Sequence, residues 1–206
     1  MTQVRLPPPQ AWTFARLPIV MARLGIRAVS VCHVGAHHGE EVDIYTQCGF
    51  DPIVLVEPDP AQVGELHRRF DARPDVVIVE AACGTEVGTG QLYRTGRTVG
   101  STLEPRPVEP AVGEPMRVEV VRLPDIQGQA NVLVIDTQGS EAAVLATADL
   151  AGVDLVIVET TRRFDDTAAY YDYVVASMAV RGYTVAEEWI HDESGYTDTV
   201  FTRSGP

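Results

Sequence analysis

The amino-acid sequence predicts an α/β protein: a mostly parallel seven-stranded sheet with a C-terminal antiparallel hairpin and helices on both faces. Three observations carry that prediction. Five short runs are largely apolar and rich in β-branched residues, as strands buried on both faces must be: Val29 to Val34, Ile53 to Val56, Val76 to Val79, Val132 to Ile135 and Leu155 to Val158. Helix-length segments alternate with them at Glu40 to Cys48, Ala61 to Phe70 and Ser140 to Ala148, the βαβ succession of a parallel sheet, with Gly49 as a stop after the first. A long helix from Ala168 to Arg181 then leads to strands Tyr183 to Ile190 and Thr197 to Thr202, joined through Asp192, Glu193, Ser194 and Gly195.

Two segments stand outside this alternation. Residues 1–28 form a basic extension in which Trp12, Phe14, Leu17, Val20, Met21 and Leu24 recur at helical spacing, so one amphipathic helix is expected at the domain edge, as a dimer or lid element. Residues 29–206 form the main domain. Within it an insertion at 84–129 is rich in Gly, Pro and Thr, with strand-like pieces at Gln91 to Arg94 and Arg117 to Leu123. It is too long for an ordinary βα loop, and a lid over a ligand is the preferred reading.

Composition narrows the chemistry. The 206 residues carry 16 basic and 29 acidic side chains, a formal charge of −13 that opposes nucleic-acid phosphates. All the basic residues are Arg, which excludes a P-loop lysine, a pyridoxal-phosphate Schiff base and any lysine nucleophile. Cys32, Cys48 and Cys83 form no CxxC pair, and Arg16, Pro18 and Arg23 interrupt the N-terminal apolar stretch, so a cytoplasmic protein with neither disulfides nor a membrane anchor is expected.

Open parallel sheets bind ligands beyond the carboxyl ends of their strands, where strand order reverses. The first strand ends in His33-Val34-Gly35-Ala36-His37-His38-Gly39-Glu40-Glu41, a tight glycine turn before a helix N-terminus. His37 occupies the middle glycine position of GxGxxG, which disfavours the dinucleotide of an NAD-dependent oxidoreductase. The second strand ends in Glu57-Pro58-Asp59, where a carboxylate can accept both hydroxyls of a ribose. Ala82 and Cys83 are small residues that can flank an adenine ring, and Cys83 reads as a packing group. Glu40, Glu41, Glu57, Asp59 and Asp136 crowd these strand ends, and an acidic cleft favours a nucleotide of net positive charge, S-adenosyl-L-methionine, over a diphosphate. Asp136 follows a wholly apolar strand, where an unpaired carboxylate costs several kcal/mol, and Glu159 ends the neighbouring run.

Ile135-Asp136-Thr137-Gln138-Gly139-Ser140-Glu141 with Val144-Leu145 resembles the D-x-x-G-x-E-x-x-V-L signature of the FkbM family of class I S-adenosylmethionine-dependent methyltransferases. The HVGAHHG turn, Glu57-Pro58, Ser101-Thr102-Leu103, and Glu159 ahead of a Tyr-containing helix and Gly182-Tyr183 extend the resemblance over Val29 to Arg203. It implies a Rossmann-like fold and O-methylation of a small-molecule acceptor, a sugar or secondary-metabolite hydroxyl, rather than action on nucleic acid or membrane. His33 stands where such enzymes commonly carry an acid for the methionine end of the cofactor, a role Glu40 or Asp136 can take. Asp136 and Glu159 are the expected active-site acids, with His37 or His38 as base; alternatively the two acids hold Mg²⁺. A noncatalytic S-adenosylmethionine-binding module is the other reading. It predicts cofactor binding without turnover.

Overall fold

The computed structural model describes residues 14–94, 101–103, 111–161, 165–191 and 196–204. Trp12, parts of the insertion and the hairpin residues Asp192, Glu193, Ser194 and Gly195 lie outside them. Seven strands form the main sheet: β1 (Val31–Val34), β2 (Ile53–Val56), β3 (Val76–Val79), β8 (Val132–Ile135), β9 (Leu155–Thr161), β10 (Tyr183–His191) and β11 (Tyr196–Arg203). Their spatial order is β10-β11-β9-β8-β1-β2-β3. Only the pairs of β11 with β9 and β10 are antiparallel. The chain runs outward from β1 to β2 and β3, then returns to place β8 on the other side of β1, so strand order reverses between β1 and β8.

Because side chains alternate across a strand, the apolar runs feed two cores. Val31, Ile53, Leu55, Val132, Val134, Leu155 and Ile157 pack with α1 (Leu17–Leu24), α2 (Val42–Cys48) and Leu66 and Phe70 of α3 (Pro60–Phe70). Cys32, Val34, Val54, Val56, Leu133, Ile135, Val156 and Val158 face the other way. They meet Leu123 of α4 (Leu123–Ile126), Val144 and Leu145 of α5 (Glu141–Thr147), and Val174 and Met178 of α6 (Asp165–Val180).

The N-terminal helix differs from the expected edge element. Leu17, Val20 and Met21 are buried on the sheet face, and Phe14 stacks on His33 and meets Trp189 edge-on. Each such burial stabilises by about 1.5–3 kcal/mol, so this helix roofs the core. Helix α2 begins at Val42 rather than Glu40, because the left-handed residues His37 and Gly39 keep the chain turning and Glu40 is spent within the turn. The insertion builds a second sheet, β4-β7-β5-β6, from β4 (Ala82–Cys83), β5 (Gly88–Arg94), β6 (Ser101–Thr102) and β7 (Met116–Val121). Strand β7 stops before Leu123, because Pro124 lacks the ladder N–H and suits the first turn of α4.

Candidate active site

The reversal between β1 and β8 is unusually close. A Cβ on Gly35, whose φ is +85°, would fall 1.6 Å from the Asp136 carbonyl oxygen, so glycine here is required by the opposing backbone. Five successive amides of the β1–α2 turn are engaged inside the protein. Those of Gly35 and Ala36 donate to the Val56 carbonyl at 2.9 and 3.1 Å, and that of Gly39 to the Ala36 carbonyl at 2.7 Å. The His37 amide donates to Glu57 Oε2 at 2.9 Å and the His38 amide to Glu40 Oε2 at 3.2 Å. A turn that binds pyrophosphate aims such N–H groups at the ligand, and this one does not.

Glu57 is buried, and its other oxygen, Oε1, accepts the Asp59 amide at 2.8 Å. Burial pushes its carboxyl up to about 7, even though the two amides and His37 favour the ionised form. A carboxylate offers about four lone-pair directions and the amides use two, so two acceptor positions remain, a number that fits two ribose hydroxyls. Asp59 does something else. It caps α3 by accepting the Ala61 amide, and it takes both Nε and Nη2 of Arg94, each at 2.8 Å. Arg94 comes from β5, so the insertion is pinned beside Glu57 by a forked ion pair.

Asp136 leaves the tip of β8, and the parallel register that sets Ile135 beside Val158 brings Glu159 alongside it. Glu159 lies inside β9 rather than at its end, because β11 extends the pairing and sets Asp198 opposite Glu159. The Gln138 side-chain amide donates to Asp136 Oδ1 at 2.6 Å and to Glu159 Oε2 at 2.8 Å. Burial raises both carboxyls. The charges of Asp198 and Glu141 add to the rise at Asp136, and those of Asp136, Glu141 and Asp198 at Glu159. Such surroundings disfavour two negative charges on the pair.

Glu141 braces this loop. Its Oε1 accepts the amides of Thr137 and Gly139 at 3.1 and 2.8 Å, and its Oε2 accepts the Tyr170 hydroxyl at 2.8 Å. The spacing of acid, glycine, acid and two apolar residues thus has a physical reading: Asp136 is presented, Glu141 ties the turn, and Val144 and Leu145 anchor it in the core.

The four expected catalytic residues fall into two groups. Asp136 and Glu159 share Gln138, whereas His37 and His38 gather around Glu40 on the side of β1 next to β2 and α3, where Arg69 donates to the His38 carbonyl. His33 is buried in the roof of the core, where its Nδ1 meets the Tyr45 hydroxyl at 3.0 Å and burial lowers it to about 4. Ala82 and Cys83 form β4, paired with β7, and burial pushes the Cys83 thiol up to about 12. Pro58 lies half-buried between the two acids. Charge counting in the sequence missed Arg94 against Asp59 and the effect of burial, which also lifts Glu41 to about 8. It missed Gln138 and Asp198 too; the first follows Asp136 by two residues, but only strand register reveals the second.

The strand order, the reversal at β1 and the acids beyond the strand tips define a class I S-adenosylmethionine-dependent methyltransferase fold. Residues 33–185 match the model of the methyltransferase FkbM domain, and the chain belongs to that family. Among solved structures, a methyltransferase FkbM from Methylobacillus flagellatus KT superposes with a TM-score of 0.59 at 15% identity, covering 85% of this chain and 44% of that one. Magnesium protoporphyrin IX methyltransferase from Synechocystis PCC 6803, solved with bound S-adenosylmethionine, gives 0.56 at 12% identity over 95% of this chain and 78% of that one. A ribosomal protein methylase from Lactobacillus delbrueckii subsp. bulgaricus gives 0.56 at 10% identity over 95% and 80%. No curated protein matches the sequence. Among the described residues no helix is long and apolar enough to cross a membrane.

Proposed function

We propose that this methyltransferase transfers the methyl group of S-adenosylmethionine to a hydroxyl of a small-molecule acceptor, a sugar or secondary-metabolite alcohol, and that the Asp136–Glu159 pair takes the proton. The observation that carries the reading is the carboxyl pair itself, half-buried at adjacent strand positions, bridged by Gln138 and lifted toward neutrality by burial and neighbouring charge. When bound, the cofactor supplies a methyl on a positively charged sulfur, open to in-line displacement. The acceptor O–H breaks as its oxygen gains the methyl, and the ionised member of the pair receives the proton. A carboxylate of raised pKa does this better than an ordinary one at neutral pH.

Glu57 holds the ribose in this reading, with Gly35, Gly39 and Pro58 forming the wall beside it. His37 and His38 act as part of the turn. Several of the acids are neutral or paired before the cofactor arrives, and a bound cation favours their ionisation, so binding of the donor and loss of protons are coupled. Mg²⁺ at Asp136, Glu141 and Glu159, whose oxygens lie within 4.8 Å of one another, is the competing version. The Gln138 amide, the loop amides and the Tyr170 hydroxyl already occupy that set, which favours proton sharing over an ion.

The test is transfer of labelled methyl to a panel of sugars and natural-product alcohols, with S-adenosylhomocysteine binding followed in parallel. Glu159→Gln and Asp136→Asn are expected to lower turnover by about 10²–10⁴-fold while leaving product affinity within a few-fold. Chelator is expected to leave turnover unchanged. Turnover within tenfold of wild type in both variants sinks the assignment of the base, and methylation confined to RNA or protein sinks the acceptor class.

A further inference from the structure

We infer that His37, His38 and Glu40 form a site for one divalent transition-metal ion of the zinc type, separate from the Asp136–Glu159 pair. The Nδ1 atoms of His37 and His38 lie 3.0 and 3.6 Å from the same oxygen, Glu40 Oε1. One donor atom from each of the three residues lies within 4.8 Å of the other two. Zinc bonds imidazole nitrogen and carboxylate oxygen at close to 2 Å, so tetrahedral donors stand roughly 3.3 Å apart, and these two separations bracket that figure. Two imidazoles and one carboxylate suit Zn²⁺, Co²⁺ or Ni²⁺, whereas Mg²⁺ and Ca²⁺ prefer oxygen alone.

The turn holds the donors in place before any ion arrives. His37 has a left-handed backbone, φ 45°, and its ring lies 3.8 Å from that of His38, at 34°. The second Glu40 oxygen is fixed by the His38 amide and the His38 carbonyl by Arg69, so both neighbours of the donor atoms are braced. The site stands on the turn that also supplies the His37 amide to Glu57.

The test uses the full chain without an affinity tag, stripped with chelator. Zn²⁺ is titrated by calorimetry and Co²⁺ by visible absorption, neither of which depends on methyl transfer. One equivalent is expected to bind, with at least tenfold weaker binding in His38→Ala and in Glu40→Gln. The second variant keeps the side-chain volume and an acceptor for the His38 amide. Glu159→Gln is expected to bind the ion like wild type. No binding by wild type, binding unaffected by both turn variants, or binding lost in Glu159→Gln each overturns the site.

Discussion

Replacing Glu57 by glutamine separates the two tasks assigned to that carboxylate. The variant keeps the volume and one acceptor oxygen but turns the other into an NH₂, so either the His37 or the Asp59 amide faces a donor instead of an acceptor. A buried N–H left without a partner costs about 1–3 kcal/mol. Part of this is offset, because the wild-type carboxyl is raised to about 7 by burial and a neutral amide escapes the desolvation of a charge. The expected net loss at pH 8 is about 1 kcal/mol, a fall in Tm of about 2–4 °C for a chain of this size. Binding falls further. Hydrogen bonds from ribose hydroxyls to a charged acceptor are worth about 1.5–3 kcal/mol each, and the amide retains some of that, so S-adenosylhomocysteine affinity is expected to drop about ten- to a hundredfold. Calorimetry reads the affinity and urea unfolding reads the stability. A folded Glu57→Gln that binds S-adenosylhomocysteine within threefold of wild type refutes the ribose assignment and leaves Glu57 as a brace for two loop amides.

Further perturbations address the frame around the site. Arg94→Ala removes both donors that Arg94 gives to the buried Asp59 carboxylate, and, since the guanidinium is half exposed, a loss of about 1–2 kcal/mol with faster amide exchange in β5 is expected; exchange unchanged from wild type counts against the insertion being pinned there. Gly35→Ala drives a Cβ into the Asp136 carbonyl and should leave little soluble folded protein, as circular dichroism of the purified variant will show. Glu41 is raised by burial from an ordinary 4.5 to about 8, so the native state binds the extra proton across that range. Its contribution is fully present below about pH 4.5 and is lost as pH climbs toward 8, at up to about 1.4 kcal/mol per pH unit; Glu41→Gln should flatten that decline in urea titrations, and an unaltered slope assigns it elsewhere. Calorimetry of S-adenosylmethionine, the ligand that carries the sulfonium charge, at pH 6.5 in buffers of different ionisation enthalpy should reveal net proton release, and equal heats in all buffers contradict the coupling between binding and carboxyl ionisation.

The sequence by itself determined the layers. Ile53–Val56 and Val132–Ile135 are strands at the residues their apolar runs mark, because a strand covered on both faces has no polar positions to blur its ends, and Val76–Val79 keeps its bounds as a β-branched edge strand with Val77 exposed. It also marked Gly35, Glu57 and Asp136, since glycine at a turn and an acid directly after an apolar run are local departures from what packing alone would choose. Pairings between distant segments were decided only by the tertiary structure. Nothing near Asp59 in the chain announces Arg94, thirty-five residues on, and nothing near Glu159 announces Asp198 on a strand that arrives from the opposite direction. His33 shows the same limit from the other side: its place at the end of β1 suggested a ligand contact, but Phe14 and Tyr45 close over it. Periodicity and turn chemistry act over a few residues and can be read in order along the chain. Charge, by contrast, depends on burial and on whichever partner the fold brings within 3 Å, and neither is a local property of the sequence.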